Sequence, residues 1–288
     1  AQTTGAEYVG PFTFIALRSL LGSVALIPVI FIMDALKKKN TAEAPTENQK
    51  GKKFFLLGGL ACGVCLTFAS VLQQMGLDKG TSPGKAGFIT ALYILLVPIF
   101  SIALKKKIRP LIWFCVAISL VGLYLLCVTE NSIQSSDLYV LLCAACYAVH
   151  ILIIDYVSPH VDGVKLSAMQ FFICGIIASV PMLLNEEVSL ELIKAAAPSI
   201  AYSGIMSSGV AYTLQIVAQK YTDPTSASIL MSLESVFATL TTVILVACGW
   251  ELTGGQLDMR EISGCLLMFV AIILVQIPEK KSNLSKTA

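Results

Sequence analysis

Charge is what this sequence is shortest of. Asp, Glu, Lys and Arg make up 13% of its 288 residues, about half the share usual in soluble domains. A water-facing surface needs polar cover, so a soluble globular protein of this size is excluded. Histidine is scarce as well, with two in the chain, and there is no HExxH, no paired-aspartate motif and no GxSxG. The usual signatures of hydrolytic and metal chemistry are therefore missing. A Ser–His pair built from Ser207 or Ser208 with His150 has no supporting spacing. The chain reads as a non-enzyme, with no cofactor, metal or nucleic-acid partner implied.

What the sequence has in quantity is apolar run. Hydrophobic residues reach 56% and mean hydropathy is +0.80. They gather in blocks at about 12–34, 54–76, 83–104, 110–128, 137–156, 164–184, 197–219, 224–248 and 261–277, each near the ~20 residues a helix needs to cross a bilayer. Nine spans are expected, and with them an all-α polytopic membrane protein. Numbering the connections alternately from outside puts fifteen of the 20 Lys and Arg residues on one side. Only Lys79, Lys85, Lys194 and Arg260 fall on the other. The positive-inside rule then predicts a cytoplasmic C-terminus. Trp113 and Trp250 fall near span ends, as interfacial anchors do. The nine cysteines lie in or beside apolar blocks, and the CxxC spacings at Cys62–Cys65 and Cys143–Cys146 put each pair on one helix face as small hydrophobes.

One short phrase is written twice. Residues 79–93 read KGTSPGKAGFITALY and residues 220–234 read KYTDPTSASILMSLE, with Lys79/Lys220, Thr81/Thr222, Pro83/Pro224, Ala86/Ala227 and Leu92/Leu233 coinciding at an offset of 141. Gly63/Gly204 and Gln74/Gln215 extend the register. A second offset, 153, aligns Gly10/Gly163, Gly22/Gly175, Ala25/Ala178 and Pro28/Pro181. Five spans separate the copies, an odd number, so they are expected to enter the membrane from opposite faces. That is the inverted repeat of secondary transporters, whose site lies near the midplane between the halves. Ser82 and Asp223 suit helix N-caps and Pro83 and Pro224 suit the first helical position, so the shared opening needs no functional reason.

Four stretches, EYVGPFTFIALRSLLG (7–22), KAGFITALYILLVP (85–98), PTSASILMSLESVFA (224–238) and GWELTGGQL (249–257), carry a resemblance that covers essentially the whole chain. It resembles the EamA-type transporters of the drug/metabolite transporter superfamily. The resemblance implies ten helices in two inverted five-helix repeats, with both termini cytoplasmic. Residues 1–130 would hold helices two to five, and 131–288 helices six to ten with a cytoplasmic tail. The first family helix would end near residue 1, so it is expected to be missing from this sequence. The implied activity is movement of small metabolites across the inner membrane, as an exporter in many members.

Within the spans, Glu234 is the sharpest candidate. It stands about ten residues into its run, ~15 Å at the helical rise. An intramembrane acid usually lines a pathway, and its repeat partner is Tyr93. Arg18 reads equally as a structural residue or as a seat for a substrate carboxylate. His150, Gln170, Thr90 and Ser232 read either as pathway contacts or as bonds holding helices together. Gly58, Gly59 and Gly63, with Ser203, Gly204, Ser207 and Ser208 as their analogue, predict close packing between the spans at 54–76 and 197–219. With Arg18 the only base inside a span, amino acids or similar zwitterionic or uncharged metabolites fit better than phosphorylated metabolites or nucleotide sugars. A channel or a scaffold is the competing class. Proton coupling and a homodimer stay open.

Overall fold

The computed structural model describes residues 5, 8–40, 49–128, 134–248 and 258–277. Trp250 and the tail from 278 lie outside them, as does the connector at 41–48. The described chain is helical and contains no strand among those residues. In order, the helices are α1 (Pro11–Asn40), α2 (Gln49–Asp78), α3 (Pro83–Ala91), α4 (Tyr93–Ala103), α5 (Pro110–Cys127), α6 (Asp137–Val157) and α7 (Gly163–Asn185). They continue with α8 (Leu190–Tyr202), a π-wound stretch at Ser203–Ala211, α9 (Tyr212–Gln219), α10 (Pro224–Met231), α11 (Leu233–Ala247) and α12 (Met259–Val275).

Among the described residues, six helices are long and apolar enough to cross a membrane: Pro11–Leu36, Gly51–Asp78, Pro83–Ala103, Pro110–Cys127, Asp137–His160 and Gly163–Asn185. They coincide with the first six expected runs. The last three runs are helical in their described residues but interrupted or short. One contains the π turn, one breaks at Ser232, and α12 has 17 residues. The surface is that of a lipid-facing bundle. Phe31, Phe68, Leu183 and Leu184 are exposed, whereas Gln74, Ser101, Ser119, His150 and Gln170 are buried. A water-soluble fold has the reverse arrangement.

Glycines set the closest helix approaches. A Cβ on Gly122 would sit 3.0 Å from the Gly264 carbonyl oxygen, and one on Gly264 would sit 2.8 Å from that of Gly122. α5 and α12 therefore touch backbone to backbone, each through its own glycine. Their ends are tied just as reciprocally. Arg109, ahead of α5, donates to the carbonyls of Ile277 (2.8 Å) and Val275 (3.1 Å) at the end of α12. Arg260, at the start of α12, donates to Tyr124 (3.1 Å) and Val128 at the end of α5. Each arginine donates to carbonyls at the C-terminal end of the other helix, where acceptors outnumber backbone donors, and the pair fixes the two helices antiparallel.

The small-residue stripes pack differently from expectation. Gly58 faces Val157, Gly59 faces Met169, and Gly63 faces Ile173 and the Gln170 carbonyl. The stripe of α2 thus meets α6, α7 and not the π stretch. Gly204 lies against the Arg18 carbonyl and Leu21, and Ser208 lies against Gly22, so the second stripe packs on α1. Both stripes work as close-approach surfaces, but against α6 and α7 in one case and α1 in the other, and not against each other. A single sequence shows which faces are small, not which faces meet.

α3–α4 and α10–α11 are two versions of one broken rod. Ser82 and Asp223 precede them with nearly equal backbone angles (φ −63°, ψ 147° and φ −63°, ψ 149°), each followed by proline. Each rod tightens at one residue. The amide of Leu92 reaches back to Ile89 (3.1 Å) and that of Ser232 to Ile229 (3.2 Å), three residues instead of four. The two starts differ in one respect. Asp223 caps through its side chain, accepting from the Ser226 amide at 2.9 Å, while Ser82 makes no side-chain cap bond.

Candidate functional site

The two broken rods come together around a cavity of about 540 Å³. Its wall on one side is Pro83, Gly84, Gly87, Thr90, Ala91 and Tyr93, from α3 and the start of α4. Facing them are Met231, Ser232, Glu234, Ser235 and Thr239, with Gln73, Leu126, Cys127 and Glu261 completing the lining. Four expected site residues, Thr90, Tyr93, Ser232 and Glu234, therefore share one cavity. Glu234 stands in the first turn of α11, just past the break at Ser232, where the helix dipole favours a negative group. Its carboxylate opens on the cavity and has no hydrogen-bond or ion-pair partner among the described residues. Tyr93 is 7% exposed, and its hydroxyl likewise has no hydrogen-bond partner among them. The Ser232 hydroxyl is committed to the Ile229 carbonyl at 2.6 Å. Thr90 accepts a bond from the amide of Gln73 at 3.2 Å.

The cavity is one-sided. It follows α3 from Pro83 in its first turn to Ala91, but touches the second rod only from Met231 onward. Pro224, Thr225, Ser226, Ala227, Ser228 and Ile229 are all buried in packing. At Gly87 an added Cβ would meet nothing within 4 Å, whereas its repeat counterpart Ser228 is fully buried and bonded to the Thr225 carbonyl at 2.7 Å. The open end lies where α3 begins. The closed end lies where α10 begins.

Arg18, His150 and Gln170 do not line this cavity. His150 Nε2 pairs with Gln170 Oε1 at 3.0 Å in a fully buried contact between α6 and α7. Arg18 reaches the Ser70 hydroxyl at 3.3 Å and lies over the Phe14 ring. Nearby, the Tyr212 hydroxyl donates to that of Tyr147 at 3.2 Å, and Tyr212 lies in electrostatic range of both Arg18 and Glu234. Each makes a bond across helices, while Arg18 Nε, His150 Nδ1 and Gln170 Nε2 stay buried without a hydrogen-bond partner among the described residues.

Gln73, Ser235, Thr239 and Glu261 are lining residues that sequence reasoning missed. Glu261 was findable: it stands three residues after Asp258 at a helix start, and its Oε2 accepts from the Asp258 amide at 3.1 Å, the second half of a capping box. A larger groove of about 990 Å³ opens between α2, α4 and α6, but its interior is apolar, with Lys53 and the Lys106–Asp155 ion pair (2.5 Å) at its rim. Such a wall suits lipid tails more than a polar metabolite.

An apolar-surfaced helical bundle around one polar cavity is the class of a multi-pass membrane transporter. The comparisons name the family. The model of the EamA-like transporter family matches residues 1–128 and again 134–277, and the chain belongs to that family. It is similar to an "Uncharacterized transporter" of Archaeoglobus fulgidus, 28% identical over 222 residues, 76% of this chain and 68% of that protein. It is similar also to "Uncharacterized transporter YwfM" of Bacillus subtilis, 25% identical over 294 residues, covering 100% of this chain and 91% of that one. A protein solved by crystallography shares the fold at 17% identity and a TM-score of 0.71, over 96% of this chain and 90% of its own.

Proposed function

We propose that this membrane transporter works by alternating access, with the halves 1–130 and 131–288 forming an inverted repeat around the Glu234 cavity. The observation that carries the reading is the pairing of Tyr93 and Glu234, matched positions of the 141-residue register, in one cavity that follows α3 from its first turn but meets the second rod only from Met231 onward. Several features support the repeat. The antiparallel α5/α12 pair is tied through reciprocal arginines and glycines, and the two rods break within one residue of each other in the 141-residue register, at Leu92 and Ser232. The family model also matches once in each half. The nine spans and the cytoplasmic C-terminus stand with this proposal, since the charge asymmetry of the connections favours both. On that orientation the cavity faces outward and the cytoplasmic end is shut.

The substrates we assign are small amine-bearing metabolites, amino acids among them, moved outward across the cytoplasmic membrane. An unpaired carboxylate in a walled site is a receptor for an amine. It could equally carry a proton in exchange for substrate. Phosphorylated metabolites and nucleotide sugars are disfavoured, because no Lys or Arg stands among the cavity's described lining residues.

The test is flux in proteoliposomes of the purified protein, with a panel of labelled amino acids and amines. Saturable flux that shows counterflow and is lost in Glu234→Gln is expected. Flux that rises linearly with concentration would establish a channel, and absence of flux for the whole panel would favour a scaffold.

A further inference from the structure

The charged residues in the cavity's described lining are all of one sign. Glu234 and Glu261 both line it, and no basic residue does so among the described residues. A cavity whose charged lining is carboxylate favours a cation over an anion. The neighbouring bases stand outside the lining and have contacts of their own. Lys85, one turn into α3, pairs with Asp137 at 2.5 Å. Arg260, adjacent to Glu261, donates to the carbonyls of Tyr124 and Val128 and lies over the Tyr124 ring. Arg18 bonds Ser70 and covers Phe14. The rest of the lining is hydroxyl, amide or apolar.

A second observation points to a ligand. The Tyr93 side chain is more than nine-tenths buried, lines the cavity and leaves its hydroxyl without a hydrogen-bond partner among the described residues. That hydroxyl is free to bond what enters the cavity. Its ring also offers an aromatic face to a cation. An amino acid satisfies only half of this site, because its carboxylate would meet two carboxylates and no base.

We propose that the cavity selects organic amines that lack a carboxylate, the ammonium group seated between Glu234 and the Tyr93 ring. Glu261, nearer the open end, attracts the cation on its way in. This rests on the assignment of the cavity as the substrate site and narrows the class that assignment allows.

Matched pairs differing by one carboxylate test it: cadaverine against lysine, and tyramine against tyrosine. Binding is measured by calorimetry on the purified protein, separately from flux in proteoliposomes. Each amine is expected to bind at least tenfold tighter than its amino acid. Glu234→Gln should weaken amine binding at least tenfold and erase the preference, while Glu234→Asp keeps part of it. Glu261→Gln should weaken binding about threefold and flatten its dependence on salt. Thermal unfolding of each variant separates lost binding from lost fold.

Equal or tighter binding of the amino acids, a preference that survives in folded Glu234→Gln, or no binding of either member at millimolar concentration overturns the proposal. Saturable flux without the preference would sink it and leave the transport reading intact. Preferential, Glu234-dependent binding without flux would do the reverse.

Discussion

α3 and α10 begin with the same chemistry and end in different surroundings. Both open on an extended capping residue and a proline, and both run to a single-residue tightening before the next helix. Yet α3 lines open space along its length, and α10 is packed shut until its last turn. Nothing in the backbone of the two helices accounts for this, since their angles agree within a few degrees where they start. The difference lies in what packs against them. On the proposed inverted-repeat reading, two like elements in unlike surroundings are one state of a two-state device, and the other state would exchange the surroundings.

The largest expected effect breaks the comparison at its one chemical mismatch. Glu234→Gln should lower proteoliposome flux by about a hundredfold, a loss of about 2.7 kcal/mol in transition-state terms. Tyr93→Phe should lower it about threefold. Unfolding midpoints should stay near wild type in both, because the carboxylate has no protein partner to lose. Comparable losses from the two substitutions would mean that the halves contribute alike.

Accessibility gives the next effect. In a background with the native cysteines replaced, Gly87→Cys should react with a membrane-impermeant maleimide at least tenfold faster than Ser228→Cys. Ser228→Cys should gain reactivity only from the opposite face and only as the protein turns over. Equal labelling from one side would remove the one-sided cavity. Bulk at the same positions reports the same asymmetry: Gly87→Leu should block flux with little change in stability. Ser228→Leu should cost about 1–3 kcal/mol through overpacking, read in thermal unfolding.

The smallest effect lies at the starts. Asp223→Ala should destabilise by about 1 kcal/mol, a usual value for a lost N-cap, because it removes the bond to the Ser226 amide. Ser82→Ala should change almost nothing, because its hydroxyl makes no cap bond. Equal costs at both would mean that the caps are equivalent despite their bonding.

Much of the membrane character and part of the site were legible before any coordinates. The first six apolar runs, the capping at Pro83 and Pro224, and the pairing of Tyr93 with Glu234 all follow from local composition and register. Gln73, Ser235 and Thr239 were not legible, since a single polar residue on an apolar helix looks the same facing a cavity or a neighbouring helix. The same ambiguity explains Arg18, His150 and Gln170. Their polarity marked them, but whether they meet one another or open space depends on how α1, α6 and α7 rotate against their neighbours. The small-residue stripes carried a similar limit, because smallness specifies close approach without naming the partner.

By itself, then, the sequence determined what each segment must do with its own backbone and with the lipid. Runs of apolar residues have to bury their amides in helices, and prolines and caps decide where those helices start. The tertiary structure alone decided which helix faces meet, and so which polar groups are left unpaired. That choice set His150 against Gln170 in a closed contact, packed Ser228 away, and left Glu234 and Tyr93 facing open space. Burial and pairing depend on neighbours distant in the chain, and no local pattern encodes them.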